Sequence, residues 1–451
     1  MRFLKIVSVV FLVLIFGCKK KEEFEKPKTL QSLIKEYQDH EGYDKKTHPL
    51  GLFAKDYFKS EAEFAQITLD KLSKINKTHL NETDLISAEL LTFVLQDQID
   101  YYKFEQYLNP LLSDSGFHSD LTYEVRPLVN YNQVKEYLNK LNAIPEFVNQ
   151  KLKNLREGLA KGVSQPLVIF KGYESTYNDH IVDNYEDSFY YTPFKDLPND
   201  LTIAQKDSVL LAAQTVIETK ITPEFKRIKT FFETEYFPKT RTTLGVSETP
   251  NGKEFYQNRI NFYTTSTQYT ADDIHQIGLK EVARIKSEME KIIKALNFKG
   301  SFADFLHFLR TDKQFYAKTP EQLLMIARDM AKRADAQLPR FFKTLPRKPY
   351  GVAPVPDAIA PKYTGGRYIG TSKESTDPGY YWVNTYDLPS RTLYTLPSLT
   401  VHEAVPGHHL QGSLNNELGD SIPQFRKNLY LSAYGEGWGL YSEFLADEMG
   451  M

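Results

Sequence analysis

Apolar positions recur at three- and four-residue spacing through most of this chain, the period of a helix with one buried face. The pattern is helical from Leu30 to about Leu112, and Ser60-Glu61-Ala62-Glu63 and Asn81-Glu82-Thr83-Asp84 stand where helices should begin. Asp84 to Tyr102 places Leu85, Ala88, Leu91, Val94 and Leu95 along one such face. Asn132 to Gly158 reads as a helical pair interrupted near Pro145, Pro193 to Asp200 as a proline-containing loop, and Ile203 to Thr230 as long helices. The turn formers of Gly245 to Gly252 divide an N-terminal helical region, residues 30–244, from a second helical region, residues 245–451.

In the second region Thr270-Ala271-Asp272-Asp273 resembles a capping box. It opens a helix to about Leu296 that carries Ile274, Ile277, Ile285, Met289, Ile292 and Leu296 on one side. Ser301 and Thr319-Pro320 open two more. Pro346 to Pro361 holds five prolines and predicts an extended surface loop. Only Tyr380 to Asn384, aromatic and β-branched between turn formers, reads as a strand. The expected fold class is mainly α, a large multi-helix body with a small β-sheet edge.

Composition narrows the class of function. Among 451 residues, 56 Lys and Arg balance 58 Asp and Glu, a net charge of -2 that argues against nucleic acid as a partner. The 29 Tyr and 29 Phe suit a large helical core with tyrosines at its edge. The single cysteine, Cys18, excludes an intramolecular disulfide. Arg2 and Lys5 precede an apolar run from Ile6 to Phe16, too short to span a bilayer, which marks residues 1–17 as a signal peptide. The run ends in Leu14-Ile15-Phe16-Gly17-Cys18, which resembles a bacterial lipobox. That resemblance implies cleavage before Cys18, lipidation there, and a membrane anchor in the cell envelope. Residues 18–29 are a charged stretch expected to form a disordered tether.

Candidate chemistry concentrates near the C-terminus. Three of the ten histidines, His402, His408 and His409, fall within eight residues, Glu403 follows the first, and Glu436 comes 28 residues past His408. Imidazoles with two carboxylates are the parts of a zinc hydrolase site. In the common zinc peptidase arrangement two histidines stand four residues apart on one helix face, but here the fourth residue after His402 is Pro406. On a straight helix His409 would lie about 10 Å along the axis from His402. His408 would point to another side. Pro406 removes a hydrogen bond to the His402 carbonyl and Gly407 frees the backbone, so an opened or bulged turn can bring a later histidine round. His408 is the expected ligand, with His409 as alternate, Glu436 as third ligand, Glu403 as general base, and Glu443 orienting a ligand histidine. Tyr430, Tyr434 and Tyr441 are candidate oxyanion donors, and His275 is the outlying histidine to check.

The run His402-Glu403-Ala404-Val405-Pro406-Gly407-His408-His409-Leu410-Gln411, with Glu436-Gly437-Trp438, resembles the bacterial domain of unknown function 885 family. Asn384 to Ser390 and the block Thr264 to Glu281 do so as well. That family is similar to mostly helical zinc metallopeptidases such as thimet oligopeptidase, angiotensin-converting enzyme and carboxypeptidase Taq. The resemblance implies a zinc-peptidase-like helical body with a channel, a zinc cofactor, peptide substrates and a sheet edge beside the metal helix. Tyr381, Val383 and Asn384 would then line a peptide backbone. It also implies a further C-terminal stretch, because the family pattern continues where this chain stops, at Met451, in what reads as mid-helix. The competing expectation is a non-catalytic peptide-binding or structural envelope lipoprotein on the same scaffold.

Overall fold

The computed structural model describes residues 29–451 apart from 114, 358 and 372–374. The signal peptide, the lipobox at Cys18 and all but the last residue of the tether lie outside the described residues. The described chain is mainly helical with one small sheet.

Three helices, Leu30–Gln38, Lys55–Ser73 and Glu82–Lys103, form the first core, where Leu33, Leu72, Ala88, Leu91 and Leu95 meet. Asn81 caps the third, its side chain accepting the Asp84 N–H, as the sequence predicts. Ser60 caps nothing. The second helix begins at Lys55, and the Ser60 hydroxyl donates to the Tyr57 carbonyl within it. Leu85 lies outside the buried face, 36% exposed.

The second core is built on Tyr131–Ala160, a single helix through Pro145 rather than an interrupted pair. Proline there removes one backbone hydrogen bond, while Leu141, Ile144, Val148, Leu152 and Leu155 are buried on either side and keep the axis continuous. Against it packs a run from Ile203–Val216 through a π turn, Ile217–Ile221, into Thr222–Thr230. Tyr173, Tyr177, Tyr190 and Tyr236 are fully buried here, so tyrosine fills the core rather than only edging it. Pro193 belongs to the buried 3-10 stretch Phe189–Lys195, not to an open loop.

Thr270 forms the expected capping box and starts Ala271–Ala295. Among the described residues this helix buries nothing, and Ile274, Ile277, Val282, Ile285 and Ile292 face outward. The capped helix Pro320–Phe341 then leads into the sheet.

The sheet has three strands, β1 Tyr350–Pro354, β2 Gly366–Ile369 and β3 Gly379–Val383, in the order β1-β3-β2. β1 pairs with β3 in parallel, Val352 opposite Tyr381, and β2 pairs with β3 antiparallel, Tyr368 opposite Tyr381. The proline-rich stretch therefore supplies a strand, which its prolines concealed. The expected strand is present, but it is the middle one, with both edges already paired. Its inward side chains Tyr381 and Val383 are buried against Leu323, Leu324 and Leu396. Asn384 is buried as well, its amide donating to the carbonyls of Ala360, Tyr363 and Thr364 at 2.9, 3.0 and 3.1 Å. These three residues are structural, and a peptide backbone cannot pair along β3.

Candidate metal centre

The first helix of the centre, Leu396–Glu403, has Pro397 in its opening turn and turns Leu396, Thr400 and Val401 into the core. Pro406 has no N–H for the His402 carbonyl, and the last regular bond of the helix is Ala404 N–H to Thr400 O at 2.9 Å. Ala404 leaves helical geometry at φ -91°, ψ -107°, and the Val405–Pro406 peptide is cis. The result is a full break between two helices, not a bulged turn within one. The Gly407 N–H crosses it to Val401 O at 2.9 Å, and a Cβ on Gly407 would lie 1.8 Å from the His402 carbonyl oxygen. Only glycine fits there. The second helix, His408–Asn416, starts at the next residue. Trp438 holds the break from outside, its indole N–H donating to Pro406 O at 2.8 Å.

The break places His402 in the last turn of one helix and His408 in the first turn of the next, ring centroids 4.8 Å apart and nearly perpendicular. Their Nε2 atoms lie 3.4 and 3.6 Å from the same oxygen, Oε2 of Glu436, which comes from the helix Ser432–Glu448. One ligand atom from each of the three falls within 4.8 Å of the others. Tetrahedral zinc with bonds of about 2.0–2.2 Å needs donors roughly 3.3–3.6 Å apart, so the set fits with small adjustment. Glu436 is largely exposed, so the point where the three side chains meet lies toward solvent. Behind His402, Nδ1 meets Glu443 Oε1 at 2.8 Å, so Nε2 is the nitrogen turned toward Glu436. The Ser432–Glu448 helix can come this close because residue 439 is glycine. A Cβ there would stand 2.6 Å from the His402 ring.

Glu403 is buried beside the three candidate ligands, and its Oε2 accepts the Tyr368 N–H of β2 at 2.7 Å. Burial raises its pKa, partly offset by that N–H and by the two imidazoles. Burial would also raise Glu436, but the Tyr430 hydroxyl, donating to its Oε1 at 2.5 Å, and the imidazoles together pull it below the usual carboxylate value. The two carboxylates are thus driven apart by their surroundings.

His402, His408, Glu436, Glu403 and Glu443 come together as the sequence reading expects. His409 does not. It is buried on the opposite side, Nδ1 3.0 Å from the Tyr368 hydroxyl and 3.2 Å from Ser413 Oγ, with its pKa lowered to about 4 by burial. His275 is on the exposed helix Ala271–Ala295, and Tyr434 and Tyr441 are exposed. Of the three tyrosines, Tyr430 alone bonds one of the three candidate ligands among the described residues, Glu436. Tyr368 escaped the sequence reading, since nothing local to it signals a contact with residues 403 and 409. The helix bearing Glu436 closes at Glu448, with Gly450 at φ 74°, before Met451.

Residues 36–451 match the family described as a bacterial protein of unknown function, DUF885, and the chain belongs to that family. Two solved structures share the fold. One, described as a "putative lipoprotein" from Colwellia psychrerythraea, has a TM-score of 0.78 and 22% identity, the match covering 88% of this chain and 71% of that one. The other, a "putative lipoprotein of unknown function" from Shewanella oneidensis, has a TM-score of 0.54 and 16% identity, covering 93% and 75%. No curated protein matches the chain.

Proposed function

We propose that this family member is a zinc-dependent, peptidase-like hydrolase anchored in the cell envelope. The observation that carries the reading is the convergence of His402, His408 and Glu436 on one point, with Glu403 buried beside them. When bound, zinc would supply Lewis acidity toward a water and a substrate carbonyl. With Oε2 of Glu403 engaged by Tyr368, its other oxygen is the one available to accept a proton from that water and pass it to the leaving amine. Tyr430, held by Glu436, is the nearest hydroxyl that could donate to a developing oxyanion.

Because β3 is paired on both sides, only the edge strands β1 and β2 remain to an extended peptide, and β2 is the one that lies against Glu403 through the Tyr368 N–H. The envelope anchor rests on the lipobox at Cys18, and each of these two similar structures is described as a "putative lipoprotein". No helix among the described residues is long and apolar enough to cross a membrane.

The test has two parts. Purified protein should carry about one zinc per chain, lost in His402→Ala. Cleavage of a mixed peptide library should vanish in Glu403→Gln while zinc stays bound, and cleavage that persists there excludes the mechanism. Zinc without cleavage would favour a peptide-binding protein instead.

A further inference from the structure

Beside this centre stands Arg367, a cation with no carboxylate partner among the described residues. It lies on β2, and its carbonyl carbon forms the peptide bond to the Tyr368 nitrogen that Glu403 grips at 2.7 Å. Its Cα is therefore no more than about 5 Å from the Glu403 carboxylate. The side chain is exposed, so it is not held there by burial. Its contacts are weak: Nη1 reaches the Tyr123 hydroxyl at 3.4 Å, and the guanidinium carbon lies 5.6 Å from the Tyr363 ring centroid. Such contacts hold an exposed side chain only loosely.

Two tyrosine hydroxyls border it. The Tyr363 hydroxyl is buried, and the group that comes near it is the Arg367 guanidinium itself. The Tyr430 hydroxyl, bonded to Glu436, lies within the field of both Arg367 and Glu403. A guanidinium offers five N–H donors in a planar fork that matches a carboxylate, and here they meet only tyrosine hydroxyls, no carboxylate, among the described residues.

We infer that Arg367 is a specificity-determining residue that receives a carboxylate of the peptide close to the bond cleaved. This rests on the peptidase reading and narrows its substrate class to peptides with a negative charge near that bond. The charge could be the C-terminal carboxylate or an acidic side chain.

Binding separates these sources without needing turnover. In zinc-loaded Glu403→Gln protein, fluorescence anisotropy would compare three forms of one peptide: free C-terminal acid, C-terminal amide, and amide with one internal Glu. One of the two carboxylate forms should bind at least tenfold more tightly than the neutral amide. Adding Arg367→Gln should bring all three within twofold while leaving affinity for the neutral amide unchanged, which also reports an intact fold. Equal affinity for all three forms, absence of binding included, overturns the inference, as does a preference that survives Arg367→Gln. A preference lost in Arg367→Gln, in a protein whose wild type cleaves nothing, would uphold Arg367 while the hydrolase reading fails.

Discussion

Glu443 Oε1 meets His402 Nδ1 at 2.8 Å, across the contact between the helices Ser432–Glu448 and Leu396–Glu403. The bond sets which imidazole nitrogen faces Glu436, and it does so from the same helix that supplies Glu436. One element thus brings both a candidate ligand and the group that aims another. Glu443→Ala should weaken zinc about 10–100-fold, measured by competition with a chromogenic chelator. Glu443→Gln, which can still accept a hydrogen bond, should recover part of the loss. Unchanged affinity in both variants would show that the pair does not orient the site.

Gly439→Ala tests the close approach directly. In an open helix the change would help by about 1 kcal/mol. Here the new methyl would meet the His402 ring at 2.6 Å, and that ring is held by Glu443 and cannot swing aside freely. Overpacking of this kind costs about 1–3 kcal/mol. Zinc affinity should fall more than tenfold while urea unfolding shifts only modestly; wild-type affinity would mean the helices separate easily.

Asn384 stabilises the loop that carries Tyr363. Its amide donates to three carbonyls inside the protein, so Asn384→Asp puts an acceptor where a donor is required. The loss should be larger than for Asn384→Ala, which itself should cost about 1–3 kcal/mol in urea unfolding. If Asp proved as stable as Asn, the bonds would not be contributing.

Two histidines far from the centre predict a pH dependence of stability. His118 and His180 are buried in the second core, and burial lowers their pKa from 6.5 to about 3 and about 4. Above pH 6.5 both are neutral whether folded or unfolded, and they cost nothing. Between about 6.5 and 4 the unfolded chain binds protons that the folded chain refuses, so stability falls as pH falls through that window. Each should cost on the order of 2 kcal/mol at pH 5. Urea midpoints at pH 7 and pH 5 would show the drop, and His180→Phe should reduce it. An equal drop in that variant would place the effect elsewhere.

What could be read along the chain was whatever a few neighbouring residues decide. Asn81, Thr270, Ser301 and Thr319 each cap a helix with a side chain aimed at a backbone N–H three residues on. Such contacts are local, and so is the helical period that gave the mainly α class. The candidate ligands were visible because three histidines are clustered, and Pro406 showed that no single straight helix could hold them.

Packing decided the rest. Whether His408 or His409 turns toward His402 depends on a break whose path is set by Gly407, Trp438 and the core beneath, not by residues 402 to 409 alone. The strand partners of β3 lie far apart in sequence, and one is hidden among prolines, so its position in the middle of the sheet had no local signal. The Tyr368 N–H that holds Glu403 lies 35 residues before it. Side-chain periodicity records which face of an element is buried. It does not record which distant element covers that face, and the centre is made where such faces meet.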